Sequence, residues 1–204
     1  MKLVIMTKPI FFVEEDKILV SLFERGMDSL HIGKSTFPPV YYERLLSLIP
    51  EEYHGKITIH DHFYLKDEYR LAGIHLSDMN RMSAVPAGYK GRIGMTCKDM
   101  SQLKEAKRMS SYVFLSFADE DASVTKKKAL FASSDIVAAS RSGLIDKKVY
   151  AYGGMSADNI KAARDLGFGG VVVCDDIWGR FDIHNQHDYS ELISHFEKLR
   201  KITN

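Results

Sequence analysis

Residues 148–178, KVYAYGGMSADNIKAARDLGFGGVVVCDDIW, decide the fold. A short apolar run, Val149 to Tyr152, ends in Gly153-Gly154, and Ser156 is a candidate cap for the helical pattern that follows. Ile160, Ala163 and Leu166 give that helix one apolar face, and Gly167 closes it where a left-handed C-cap costs glycine little. A second apolar run, Val171 to Val173, leads into another helix start at Asp175-Asp176. Strand, helix, strand, helix implies parallel strands joined by a right-handed crossover. The glycine pair at the end of its strand lets backbone N–H groups approach an anion closely, although the same pair can serve simply as a tight turn.

Working outward, the same alternation covers the chain. Strands are expected at Leu3–Met6, Ser29–Ile32, Lys56–Ile59, Gly73–Leu76, Arg92–Thr96 and Tyr112–Phe117, ahead of those beginning at Val149 and Val171. Helices are expected at Glu14–Arg25, after Pro38-Pro39, at Tyr64–Arg70, at Met100–Met109 behind an Asp99 cap, and at Tyr189–Ile202. Pro86, Gly88 and Gly91 make a helix after the fourth strand doubtful, and Leu130–Ala139 is an apolar stretch compatible with one. Ala118–Lys128 is long and polar for a strand-to-helix connection, which makes it a candidate active-site loop. Eight strands at about 25 residues per unit are the signature of a single α/β domain, a (β/α)8 TIM barrel over residues 1–204. An open doubly wound sheet would place a glycine-rich turn after the first strand, where this chain has Thr7-Lys8-Pro9-Ile10.

Composition narrows the function. Of 204 residues 45% are apolar, ample for a large core, and 28 Lys+Arg against 27 Asp+Glu leave no footprint of a nucleic-acid binder. Small anionic ligands are favoured over polyanions. Cys97 and Cys174 have neither disulfide-scaffold nor metal-type spacing and read as small buried hydrophobes. No apolar run approaches the roughly 18 residues that span a bilayer, so no membrane role and a cytoplasmic location are expected. Self-association as a homo-oligomer is left open.

In a barrel the site is built from residues at the strand ends. That rule selects His31, Lys34, His60, Asp61, His62, His75, Asp78, Asn80, Thr96, Ser116, Thr125, Lys126, Gly153, Gly154, Cys174 and Asp175. Four of the eight histidines fall at the ends of strands two to four, and neutral imidazole can bind a metal or shuttle protons. On a continuing strand His60 and His62 share one face and Asp61 opposes them. Lys34, between Gly33 and Ser35, could clamp a phosphate or stand solvated on a loop.

With these residues placed, the chain resembles the thiamine phosphate synthase family and its thiazole tautomerase relatives. DSLHIGK (28–34) is similar to the family's strand-two segment, HDH (60–62) to Asn-Asp-Arg, and GIHLSDMN (73–80) to Gly-Val-His-Leu-Gly-Gln-x-Asp. IGMT (93–96) resembles Ile-Gly-x-Ser, YAYGGMSADNI (150–160) the Ala-Ile-Gly-Gly-Ile segment with its downstream Asn, and GFGGVVVCDDI (167–177) Gly-Ala-x-Gly-Val-Ala-Val-Val-Ser-x-Ile. The resemblance covers about residues 20 to 180.

It implies an enzyme that joins a hydroxymethylpyrimidine diphosphate to a thiazole phosphate and releases diphosphate, with Mg²⁺ as cofactor. It assigns Asp61 and Asn80 to the metal, Lys34, Thr96 and Lys126 to catalysis, and His31, His60, Thr125, Gly153, Gly154 and Cys174 to substrate and phosphate binding. The departures are specific. Gln-x-Arg-x-Lys becomes His31-Ile32-Gly33-Lys34-Ser35, the second metal aspartate is the neutral Asn80, the strand-eight serine is Cys174, and Phe117 stands near the position of the tautomerase histidine. A barrel of the same pathway that binds a phosphorylated ligand without catalysis is the alternative, and an unrelated barrel enzyme using the histidine cluster is a third.

Overall fold

The computed structural model describes residues 1–117, 133–184 and 188–204, with the side chains of Met79 and Asn80 left aside. Its eight strands are β1 (Lys2–Met6), β2 (Leu30–Ile32), β3 (Ile57–Ile59), β4 (Gly73–Leu76), β5 (Arg92–Cys97), β6 (Tyr112–Ser116), β7 (Val149–Tyr152) and β8 (Gly170–Val173). All neighbours pair in parallel and β8 returns to β1, so the sheet closes into the barrel that the alternating pattern predicts.

The helices are α1 (Glu15–Glu24), α2 (Pro39–Leu48), α3 (Glu51–His54), α4 (Leu65–Glu68), α5 (Leu103–Met109), α6 (Ser134–Arg141), α7 (Ile160–Asp165), α8 (Asp175–Trp178) and α9 (Ser190–Thr203). The proline- and glycine-rich segment after β4 forms only a 3-10 turn, Met79–Ala84. Asp99 caps as expected, accepting the Ser101 N–H at 2.8 Å. Ser156 caps the turn that leads into α7, its Oγ accepting from Asp158 N at 3.4 Å, and the Asn159 side chain accepts from Ser156 N at 2.9 Å and donates to Gly154 O at 2.9 Å.

Alternation along each strand divides the apolar residues between two cores. Outward positions such as Ile5, Ile59, Ile74, Met95, Val149 and Val171 pack under the helices in the larger cluster. Inward positions Val4, Met6, Tyr112, Phe114, Tyr150 and Val172 fill the barrel itself. At roughly 1.5–3 kcal/mol for each fully buried large aliphatic or aromatic side chain, the outer layer carries most of the fold's stability. The lumen is therefore free to hold polar rings.

Candidate active site

On the β2–β4 side, His31 in β2 is level with Met6 and Thr58, and His75 in β4 is level with Gly94. Both rings point into the lumen and are fully buried; His60, the first residue after β3, joins them. Glycine makes the room: a Cβ on Gly94 would stand 2.5 Å from His75 Nδ1 and 2.4 Å from the Tyr112 hydroxyl oxygen, and one on Gly33 3.3 Å from His60 Nδ1. His31 Nδ1 and His60 Nε2 share a hydrogen bond of 3.0 Å, His31 Nε2 meets the Tyr112 hydroxyl at 3.3 Å, and His75 Nε2 meets Thr96 Oγ1 at 2.8 Å. His60 and His75 stack with centroids 4.4 Å apart, and Phe114 lies against His75 at 4.3 Å.

Burial pushes His60 down to about 3, with the Arg81 charge adding to the effect. Burial likewise holds His31 and His75 well below the usual histidine range, so all three are neutral at pH 7. His75 Nδ1 has no hydrogen-bond partner among the described residues, an arrangement that costs about 1–3 kcal/mol in a buried group.

The chain then turns away. His62 takes a left-handed φ of 51°, so it does not share a face with His60 as a continuing strand would require. It bonds Phe37 O through Nε2 at 3.0 Å and lies edge-on to Tyr42. Asp61, 8% exposed, is ion-paired to Arg81 at 3.1 Å, and Arg81 also donates to His60 O at 3.3 Å. The Tyr42 hydroxyl faces Asp61 as well; burial and that carboxylate both raise its pKa.

Lys34 is inside the protein and not solvated on its loop. Its Nζ donates to Glu15 Oε1 at 2.7 Å, Lys8 O at 2.9 Å and Ile10 O at 2.6 Å, which uses all three ammonium protons. Burial lowers the Lys34 pKa and pushes Glu15 up to about 7, against the pull of the pair. The pair ties the β1–α1 connection to the end of β2.

On the opposite side, Gly153 and Gly154 follow β7 with φ of 96° and 65°. Two successive left-handed residues are what glycine supplies and other residues resist, and Asn159 fixes their turn from below. Cys174 ends β8 half-buried, with Sγ 3.6 Å from Thr7 O. Burial, then the neighbouring Asp175, push its thiol up to about 12, which keeps it neutral near pH 7. Asp175 is exposed at the first turn of α8 and near Cys174 and Tyr152. Asp176 faces away, paired to His195 of α9 at 2.7 Å.

Thr125 and Lys126 lie outside the described residues, as does all of the 118–128 loop. Asn80 is placed only by its backbone, in the 3-10 turn after β4. As a preformed Mg²⁺ site the described donors do not fit: a hard cation asks for several oxygens, and Asp61 offers one carboxylate already held by a guanidinium. Arg81, Glu15, Tyr42 and Tyr112 escaped the reading from sequence. Arg81 had the clearest signal, a cation one residue beyond the second metal position.

Fold and mouth together define a (β/α)8 barrel with a two-glycine turn at the end of its seventh strand. The family model described as thiamine monophosphate synthase matches residues 41–177. A solved thiamine phosphate pyrophosphorylase from Bacteroides thetaiotaomicron is 42% identical, with TM-score 0.87, covering 99% of this chain and 97% of that one. A thiamine phosphate pyrophosphorylase from Pyrococcus furiosus (20% identity, TM-score 0.69, covering 99% and 95%) and a 3-hexulose-6-phosphate synthase (14%, 0.64, covering all of both chains) share the fold. No curated protein sequence matched. The chain belongs to the thiamine monophosphate synthase family.

Proposed function

We propose that the protein is a thiamine phosphate synthase, joining hydroxymethylpyrimidine diphosphate to thiazole phosphate with release of diphosphate. The observation that carries this reading is the Gly153-Gly154 turn, held by Asn159 at the end of β7 in a chain of this family. The cradle takes the thiazole phosphate on backbone N–H groups. The pyrimidine enters the lumen over His31, His60, His75 and Thr96, whose neutral donors and acceptors suit an uncharged heterocycle. The carbon–oxygen bond to diphosphate breaks first and its electron pair leaves with the diphosphate; the thiazole nitrogen then gives its lone pair to the exposed methylene carbon. Arg81 is one cation at that mouth, and with Thr125 and Lys126 it stabilises the leaving anion.

Formation of thiamine phosphate from the two substrates by purified protein tests the assignment. The family resemblance adds that Mg²⁺ stimulates the reaction and that Asp61→Ala reduces it by about 100-fold or more. Full activity in a chelator, or in Asp61→Ala, would remove that metal role. The alternative, a barrel that binds a phosphorylated ligand without catalysis, draws on Lys34 and Asp61 being engaged by partners of their own chain. It is the outcome if calorimetry detects thiazole phosphate while no product forms.

A further inference from the structure

We propose that His31, His60 and His75 form a binding site for one divalent transition-metal ion of the zinc, cobalt or nickel class, separate from any Mg²⁺ brought with diphosphate. One ligand nitrogen from each ring lies within 4.8 Å of the others, and His31 Nδ1 and His60 Nε2 are already 3.0 Å apart. Zn–N bonds of about 2.0–2.1 Å put tetrahedral nitrogens roughly 3.3 Å apart, so the widest pair has up to about 1.5 Å to close.

Chemistry selects the class of ion. Three imidazoles are poor donors for Mg²⁺ and good ones for borderline metals. The outer partners of such a site are present. Thr96 Oγ1 holds His75 and the Tyr112 hydroxyl meets His31, the kind of contact that orients a ligating imidazole. His75 Nδ1, fully buried and with no partner among the described residues, marks the cluster as unsatisfied by itself. His60 and His75 are stacked, so capture of an ion requires one ring to turn out of the stack, a rotation about the soft second side-chain torsion. Three protein ligands leave a fourth position for water or an anion entering from the mouth.

The full-length protein, stripped with chelator and checked by circular dichroism, is titrated with Co²⁺. The expected result is one equivalent bound with the visible absorption of a four- or five-coordinate nitrogen site, bleached by Zn²⁺. His75→Gln and His60→Asn should each weaken binding by at least about 10–100-fold, and Thr96→Val by about 10-fold. His195→Gln, which breaks a pair remote from the lumen, should leave it unchanged. The absence of a Co²⁺ spectrum in the folded wild-type protein, or an undiminished one in the combined His31→Gln, His60→Asn, His75→Gln protein, overturns the proposal. Should that combined protein fail to fold, His60→Asn at the edge of the lumen decides alone. None of these readouts uses the pyrimidine or thiazole substrates, so failure here and failure of the synthase reading are told apart.

Discussion

The two sides of the barrel mouth solve the problem of charge differently. On the β2–β4 side the polar side chains answer one another: Lys34 is held by Glu15 and two carbonyls, Asp61 by Arg81, and His31 by His60. On the β7–β8 side the site is a backbone conformation, two left-handed glycines pinned by Asn159. A site made of charges can be consumed by its own neighbours, whereas one made of backbone geometry persists as long as the turn does. That contrast ranks what substitutions should do.

The largest effect belongs to the buried pair. Removing one partner of a buried ion pair leaves the other charge stranded, so Lys34→Met should cost about 3–5 kcal/mol in urea unfolding. Combining it with Glu15→Leu should recover most of that loss. If Lys34→Met alone is neutral, the first side is not held as described and its lysine is available to ligand. Next is the cradle. A side chain at the φ of Gly153 is strained by about 1–3 kcal/mol, and Gly153→Ala should weaken thiazole phosphate binding by at least tenfold in calorimetry. Unchanged affinity would mean that the turn is only a turn.

A pH dependence separates the sides further. Glu15 is raised from 4.5 to about 7, so the folded chain keeps a proton that the unfolded chain releases. Its stabilising contribution is complete below pH 4.5 and is lost as pH rises through about 7. Lys34, lowered by the same burial, acts oppositely: its contribution is present above its unfolded value and lost as pH falls through the lower, folded one. Wild-type stability should therefore fall between about pH 4.5 and 7 more steeply than that of Glu15→Gln; parallel curves would rule out a buried, titrating Glu15.

The smallest effect is expected at Asp175. It lies exposed beside Cys174, close to the cradle, so Asp175→Ser should relieve repulsion and tighten thiazole phosphate several-fold. Equal or weaker binding would show that this carboxylate does not face the anion.

What the sequence disclosed follows the same division. Strand positions were legible because each apolar run is short, most are bounded by glycine or proline, and they repeat with helical patterns between. Gly153-Gly154 was legible because glycine pairs announce backbone conformations other residues avoid, whereas the hold of Asn159 on that turn was not. The turn at His62 was not: its φ of 51° is held by Phe37 O and Tyr42, contacts with another loop. Nor was the fate of Lys34, whose partner Glu15 is 19 positions away on the helix after the first strand. A charge is visible in a sequence; whether it is already spent on a neighbour is decided by tertiary structure.

Trp178, the chain's single tryptophan, donates its indole N–H to Met6 O at 2.7 Å across 172 positions of sequence. It stands where β8 meets β1, the seam at which the ring of strands closes. Helices form from near neighbours and early, but this contact waits for the two ends of the barrel to find each other. The protein thus carries a built-in fluorophore on its last joint, and its emission during refolding should time the closure of the ring separately from the helical signal in circular dichroism.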